Sequence, residues 1–379
     1  MFTDPDPKMA ASGAREDIKE DMGQYDDIPK EDPPGYYDGA DMTKMIIVKA
    51  KQFVGPSKHE TFSIAVSARG TYVAVTLIPR LGRDHTGETK SYRVDTGQEM
   101  ILKGFSSIST APSMYSGSGM VFGPPSDEAA LLCSHTWVDM NSVGHSHLNL
   151  YDLNTRRKRQ NIEGITMTAP LAWSPDGSLV AGRKETDHTK VMMSNTAVVP
   201  GNPRTPAVAP WSIRGVIPSH MEKITHTAFT PDSSGIVTMS KDGWIRLSSA
   251  VTGKTMGKVR IETRYKPSLM TVATDGASVV TVWGRDVRIW SFDKGEVLAY
   301  DLDDVREEEG WPICISPDGK LLVCRTESGF DISDLATGGF LAEIRGESSF
   351  VTCGAFAPDG RSLFLGKWSG ALDSYNIVA

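Results

Sequence analysis

Along the chain, short apolar stretches alternate with tight polar turns, and one such unit keeps returning. In Leu171-Ala172-Trp173-Ser174-Pro175-Asp176-Gly177-Ser178-Leu179-Val180-Ala181, apolar residues run into a Pro-Asp-Gly turn and alternating apolar residues lead out, which predicts strand, turn, strand. The unit recurs as Ala228-Phe229-Thr230-Pro231-Asp232, Val272-Ala273-Thr274-Asp275-Gly276, Ile315-Ser316-Pro317-Asp318-Gly319 and Ala357-Pro358-Asp359-Gly360. Weaker copies stand upstream as Val66-Ser67-Ala68-Arg69-Gly70 and Phe122-Gly123-Pro124-Pro125-Ser126-Asp127. Marked at the Asp or its equivalent, the copies fall at 69, 127, 176, 232, 275, 318 and 359, so the later ones repeat every 41 to 43 residues.

A second punctuation follows each anchor by about twenty residues, a strand running into a Thr-Gly type of turn. It reads Tyr92-Arg93-Val94-Asp95-Thr96-Gly97, Leu150-Tyr151-Asp152-Leu153-Asn154-Thr155 and Leu247-Ser248-Ser249-Ala250-Val251-Thr252-Gly253 in the first half. It returns as Ile289-Trp290-Ser291-Phe292-Asp293-Lys294-Gly295 and Ile332-Ser333-Asp334-Leu335-Ala336-Thr337-Gly338. Two hairpins in a period near 42 residues make four short strands per unit, the signature of a propeller blade. Seven anchors predict an all-β, seven-bladed propeller over residues 42–379. After Gly360 only two strands fit, Ser362–Gly366 and Ala371–Val378, so the last blade lacks its fourth. The β-rich segment Met45–Val54 stands unassigned ahead of the first anchor. Completing the last blade with it closes the ring through main-chain bonds and leaves no bare sheet edge there.

The chain at this point resembles the WD40-repeat family over essentially all of residues 42–379. The resemblance is carried by Ser-Pro-Asp-Gly at 174–177 and 316–319, by Asp-Leu-Ala-Thr-Gly at 334–338 and by Lys241-Asp242-Gly243-Trp244-Ile245-Arg246. The Trp-Asp dipeptide itself does not occur, its places holding Tyr151-Asp152, Ser248-Ser249, Trp290-Ser291, Ser333-Asp334 and Tyr375-Asn376. The family's Gly-His survives only as Ser219-His220. The resemblance therefore implies a bracing His–Ser–Asp network at one place, His220, Ser240 and Asp242. It also implies a non-catalytic scaffold for peptide or protein partners. The alternative is a quinoprotein-like propeller enzyme with a small-molecule site in its central channel, told apart by polar or metal-binding groups converging there.

Charge divides the chain unevenly. Residues 1–41 hold twelve Asp/Glu against four Lys/Arg, a net of -8, while the whole chain sums to -7. With few apolar residues and several proline breakers, this arm is expected to be disordered. The remaining body is nearly neutral, which argues against nucleic acid as an obligatory ligand. No apolar run nears the roughly 18–20 residues that span a bilayer. The acidic start Met1-Phe2-Thr3-Asp4-Pro5 lacks the order of a secretory signal, so a cytoplasmic protein is expected. The basic run Arg156-Arg157-Lys158-Arg159 reads as a solvated turn or as a nuclear-import signal. Four cysteines without a CxxC predict buried thiols, with Cys314 and Cys324 facing each other across a hairpin.

No phosphate loop, calcium loop, nucleophile elbow or zinc-protease motif is present, and neither catalytic residues nor a cofactor is expected. His145 and His147 share one face of a strand and His135 precedes them by ten, with Asp139 as a further candidate ligand. No third ligand is identifiable, and an exposed hairpin tip accounts for them without a metal.

Superposing the repeats aligns a basic residue after each second strand: Arg80, His135, Arg183, Lys241, Arg285, Arg325 and Lys367. Beside them stand Trp137, Trp244, Trp283 and Trp368, with Trp311 entering from the loop before the sixth blade. Tryptophans and cations on one face make the composition of a binding hot spot. The expected partner-binding set is Trp137, Lys241, Trp244, Trp283, Arg285, Trp311, Arg325, Lys367 and Trp368. Its expected ligand is a short acidic or phosphorylated segment with an apolar anchor. The competing reading makes these residues hairpin caps paired with local acids such as Glu185, Asp187, Asp242, Asp286 and Glu327.

Overall fold

The computed structural model describes residues 45–55, 57–79, 88–100, 119–138, 144–196, 211–217, 220–295, 297–302, 311–327, 329–345 and 350–378, with the side chains of 135–138 and 144–146 left aside. All of these belong to one compact unit, Thr43–Ala379. The acidic segment 1–41 lies outside the described residues.

The Pro-Asp-Gly turns fold as their chemistry dictates. In the third blade, Ser174 Oγ donates to the Asp176 carboxylate at 2.6 Å, and that carboxylate accepts the Ser178 amide at 2.9 Å. Gly177 then takes φ +78°, a left-handed conformation that glycine adopts without strain. The same hydroxyl–carboxylate pair recurs as Thr230 with Asp232 and as Ser316 with Asp318. Each turn joins two antiparallel strands, and the described strands form seven sheets. Six have four strands, and the first blade has three described ones, His59–Val66, Tyr72–Pro79 and Glu88–Arg93.

First strands of successive blades touch one another all the way round, the first blade meeting the seventh. The ring is therefore a seven-bladed propeller, as the repeat predicts. Its described buried apolar residues gather into seven clusters, each shared by two neighbouring blades. Strand alternation explains this: successive side chains of a blade face opposite neighbours. Val279 packs with Val237 and Met239 of the fourth blade, while Val280 packs with Leu322 and Cys324 of the sixth. Burying such a side chain fully contributes roughly 1.5–3 kcal/mol, so every blade face helps to hold the ring.

Closure follows the expected route. Ile46–Val54 is the outermost strand of the seventh blade and runs antiparallel to Leu372–Val378, from Ile46 opposite Val378 to Val54 opposite Leu372. The cysteine expectation needs correction. The four cysteines are free thiols, but Cys314 packs toward the seventh blade and Cys324 toward the fifth. A register irregularity between Pro312 and Cys314 sets Cys324 opposite Pro312 and Cys314 opposite Val323, so the two thiols lie on opposite faces of the sheet.

Candidate functional site

The turns between second and third strands rise from one face of the ring, and the connections into each first strand reach the same face. The aligned basic residues meet three fates there. Arg183 Nη1 donates to the carbonyl of Ile224 at 3.2 Å, and Arg325 Nη1 donates to that of Val351 at 3.4 Å. Ile224 and Val351 each open the first strand of the next blade. The same position thus clips neighbouring blades together in two places, a role that repeats because the geometry repeats. Lys367 is 3% exposed and pairs with the buried Asp373 carboxylate at 2.5 Å. That corrects its assignment to the partner-binding face: its charge is spent inside the seventh blade. Lys241 and Arg285 remain half-buried at the rim. Arg80 and the side chains of His135 and Trp137 lie outside the described residues.

The tryptophans also part company. Trp283 is 1% exposed and packs in the core between the fourth and fifth blades, its Nε1 donating to Thr281 Oγ1 at 3.1 Å. It closes the second strand on the same side as Val279 and Thr281, and that side faces a neighbouring blade, so it is a core residue and not a docking one. Trp244 is half-buried under the Lys258 ammonium, 4.9 Å from its ring centroid, a cation–π contact. Beside it, Lys241, Asp242, Arg260, Glu262, Tyr265 and the edge of Trp283 line a crevice of about 320 Å³.

At the junction of the sixth and seventh blades the aromatic residues do reach solvent together. Trp311 is 55% exposed and lies directly across from Arg325 in the sheet register. The Arg325 guanidinium lies 5.9 Å from the ring centroid of Phe350, which is itself 59% exposed. The Trp368 amide donates to the Phe350 carbonyl at 2.8 Å, and the Trp368 side chain is about half exposed. Trp311 and Phe350 thus neighbour Arg325 in an aromatic patch, to which Trp368 is joined through the backbone of Phe350. Phe350 escaped the sequence reading, although an aromatic residue just ahead of the apolar start of a first strand, as Phe350 is ahead of Val351, was a usable sign.

The bracing network exists with one change of member. His220 is 3% exposed; its Nδ1 lies 3.2 Å from both oxygens of Asp242 and its Nε2 2.8 Å from Thr238 Oγ1. Ser240, the expected hydroxyl, instead donates to the Glu222 carbonyl and accepts the Asp242 amide. Two residues back on the same strand face, Thr238 stands where the ring nitrogen reaches. Burial alone would raise the Asp242 carboxyl; bonds from His220 and from the Trp244 and Met221 amides outweigh it and hold it at about 2.

Elsewhere the register sets His135 opposite His147 and Trp137 opposite His145; Asp139 lies outside the described residues. Among the described residues, no three His, Cys, Asp or Glu side chains gather closely enough to hold a metal ion. Arg159 of the basic run pairs with Asp127 and, at 2.8 Å, with Asp152, leaving Arg156, Arg157 and Lys158 exposed. No protein-family model matches the chain, and no curated protein matches it.

Proposed function

We propose that this chain is a WD40-type interaction platform without catalysis of its own, working in the cytoplasm or nucleus. In this reading a protein partner docks on the face carrying the turns between second and third strands. The observation that supports it is the patch at the junction of the sixth and seventh blades: Trp311 and Phe350, both more than half exposed, beside the Arg325 guanidinium, with the half-exposed Trp368 next to Phe350 along the backbone. Exposed aromatics beside arginine are the residues that dominate binding energy at protein interfaces. An apolar side chain of the partner covers Trp311 and Trp368, while a carboxylate or phosphoryl group meets Arg325, whose planar fork suits oxyanions.

The test is affinity capture from the native cell with the wild-type chain and the W311A/W368A double variant in parallel. A protein retained by the first and lost by the second supports the reading. Capture that is identical with both removes the patch from it.

A further inference from the structure

Arg183 is the only arginine among the described residues that is buried, at 7% exposure. The one hydrogen bond of its guanidinium is the clip to Ile224; its Nε is buried without a partner, and no described carboxylate lies within 4 Å of it. A buried guanidinium without a counter-ion is costly, since desolvation must be offset by an opposite charge. What surrounds it is more positive charge. Lys223 stands next to Ile224, and the Lys241 amide donates to the Lys223 carbonyl at 3.1 Å. The Lys223 ammonium is pushed below its ordinary range, first by burial and then by the positive charges of Arg183 and Lys241. His188 is lowered in the same way, by burial and then by Arg183 and Lys223. Of the nearby carboxylates, Asp187 is engaged with Lys190 at 2.7 Å and Asp242 with His220, while Glu185 and the exposed Glu222 form no ion pair with Arg183.

We propose that the junction of the third and fourth blades binds a doubly charged oxyanion, a phosphoryl group, between Arg183, Lys223 and Lys241. Two lysines next to a buried guanidinium that lacks a counter-ion call for more than a single carboxylate charge, and a phosphoryl group supplies two charges and several acceptor oxygens. The three residues come from two blades, so the anion also ties those blades together. The site stands apart from the aromatic patch and does not depend on it.

Titration calorimetry of the full chain with inorganic phosphate tests the site, with chloride at matched ionic strength as the blank. Saturable one-to-one binding is expected, weakened at least fivefold in K223Q and in K241Q, and lost in R183Q. The lysine variants leave the Arg183–Ile224 clip untouched, so they carry the test even if R183Q folds poorly. W311A/W368A keeps its phosphate affinity. No saturable binding, or binding unchanged in the K223Q/K241Q double variant, overturns the proposal. A phosphoserine peptide binding at least tenfold tighter than inorganic phosphate assigns the group to a modified partner; equal affinities assign it to a free anion.

Discussion

Lys49 and Asp373, 324 positions apart in the chain, meet at 2.7 Å where the ring closes. Asp373 is fully buried and also receives the Lys367 ammonium at 2.5 Å, so one carboxylate joins three strands of the seventh blade, the N-terminal one among them. Lys49 is nearly half exposed, whereas Lys367 is not. Asp373→Asn leaves a buried ammonium without its counter-charge and is expected to cost about 3–5 kcal/mol. Lys49→Met is expected to cost no more than about 1 kcal/mol. Urea denaturation of the two variants checks the asymmetry, and equal losses would refute it.

Truncation reads closure directly. Removing residues 1–41, whose composition predicts little burial, is expected to leave the melting temperature nearly unchanged. Removing residues 1–54 takes away the outermost strand of the seventh blade and bares the edge of Leu372–Val378. Loss of several kcal/mol or insolubility is then expected. Two truncations of equal stability would show that the ring does not need its N-terminal strand.

Acid unfolding has two windows with different owners. The half-buried His226 imidazole is held down at about 4 by desolvation, so the unfolded chain takes up a proton first and stability falls as pH drops from about 6.5 toward 4. Asp242, held at about 2, contributes stability that is complete above its ordinary value near 4 and lost as pH falls from there toward 2. That contribution is on the order of 2 kcal/mol. His226→Gln is expected to shrink the upper window, which His188 shares, and Asp242→Asn to shrink the lower one, which Asp152, Asp176 and Asp232 share, as seen in denaturant midpoints across pH. A lower window of unchanged size in Asp242→Asn would assign it wholly to those other carboxylates.

The tryptophans separate folding from docking. Trp283→Ala is expected to cost about 3–5 kcal/mol, because the ring fills the core between two blades. Trp311→Ala and Trp368→Ala are expected to leave the melting temperature within a few degrees and to weaken a captured partner by about 2 kcal/mol or more. Arg325→Glu slows association of the same partner, most visibly at low salt. Strong partner binding by both tryptophan variants would move the docking site to another face.

Fold and candidate site were legible to different depths. The turns declare themselves locally: a hydroxyl, an Asp and a Gly within four residues close their own hydrogen bonds whatever surrounds them, as Ser174, Asp176 and Gly177 do. Because that chemistry repeats at a constant period, strands, blade number and the closing segment could all be read from one chain. Exposure is not local in this sense. Trp283 and Trp311 both stand at strand ends near one face, yet one is sealed and the other open, because burial depends on what the adjacent blade brings against it.

The sequence by itself therefore determined the architecture: seven blades, their turns, and a ring closed by Ile46–Val54. Only the tertiary structure decided which side chains remain available. It spent Lys367 on Asp373, gave the His220 ring to Thr238 in place of Ser240, and sent Cys314 and Cys324 to opposite faces through one irregular pairing. It also joined Phe350 to Arg325 across a blade junction and left Arg183 buried without a counter-ion. Each of these outcomes depends on contacts between strands or blades brought together by the closed ring. A periodic pattern encodes the ring but not the individual neighbours within it.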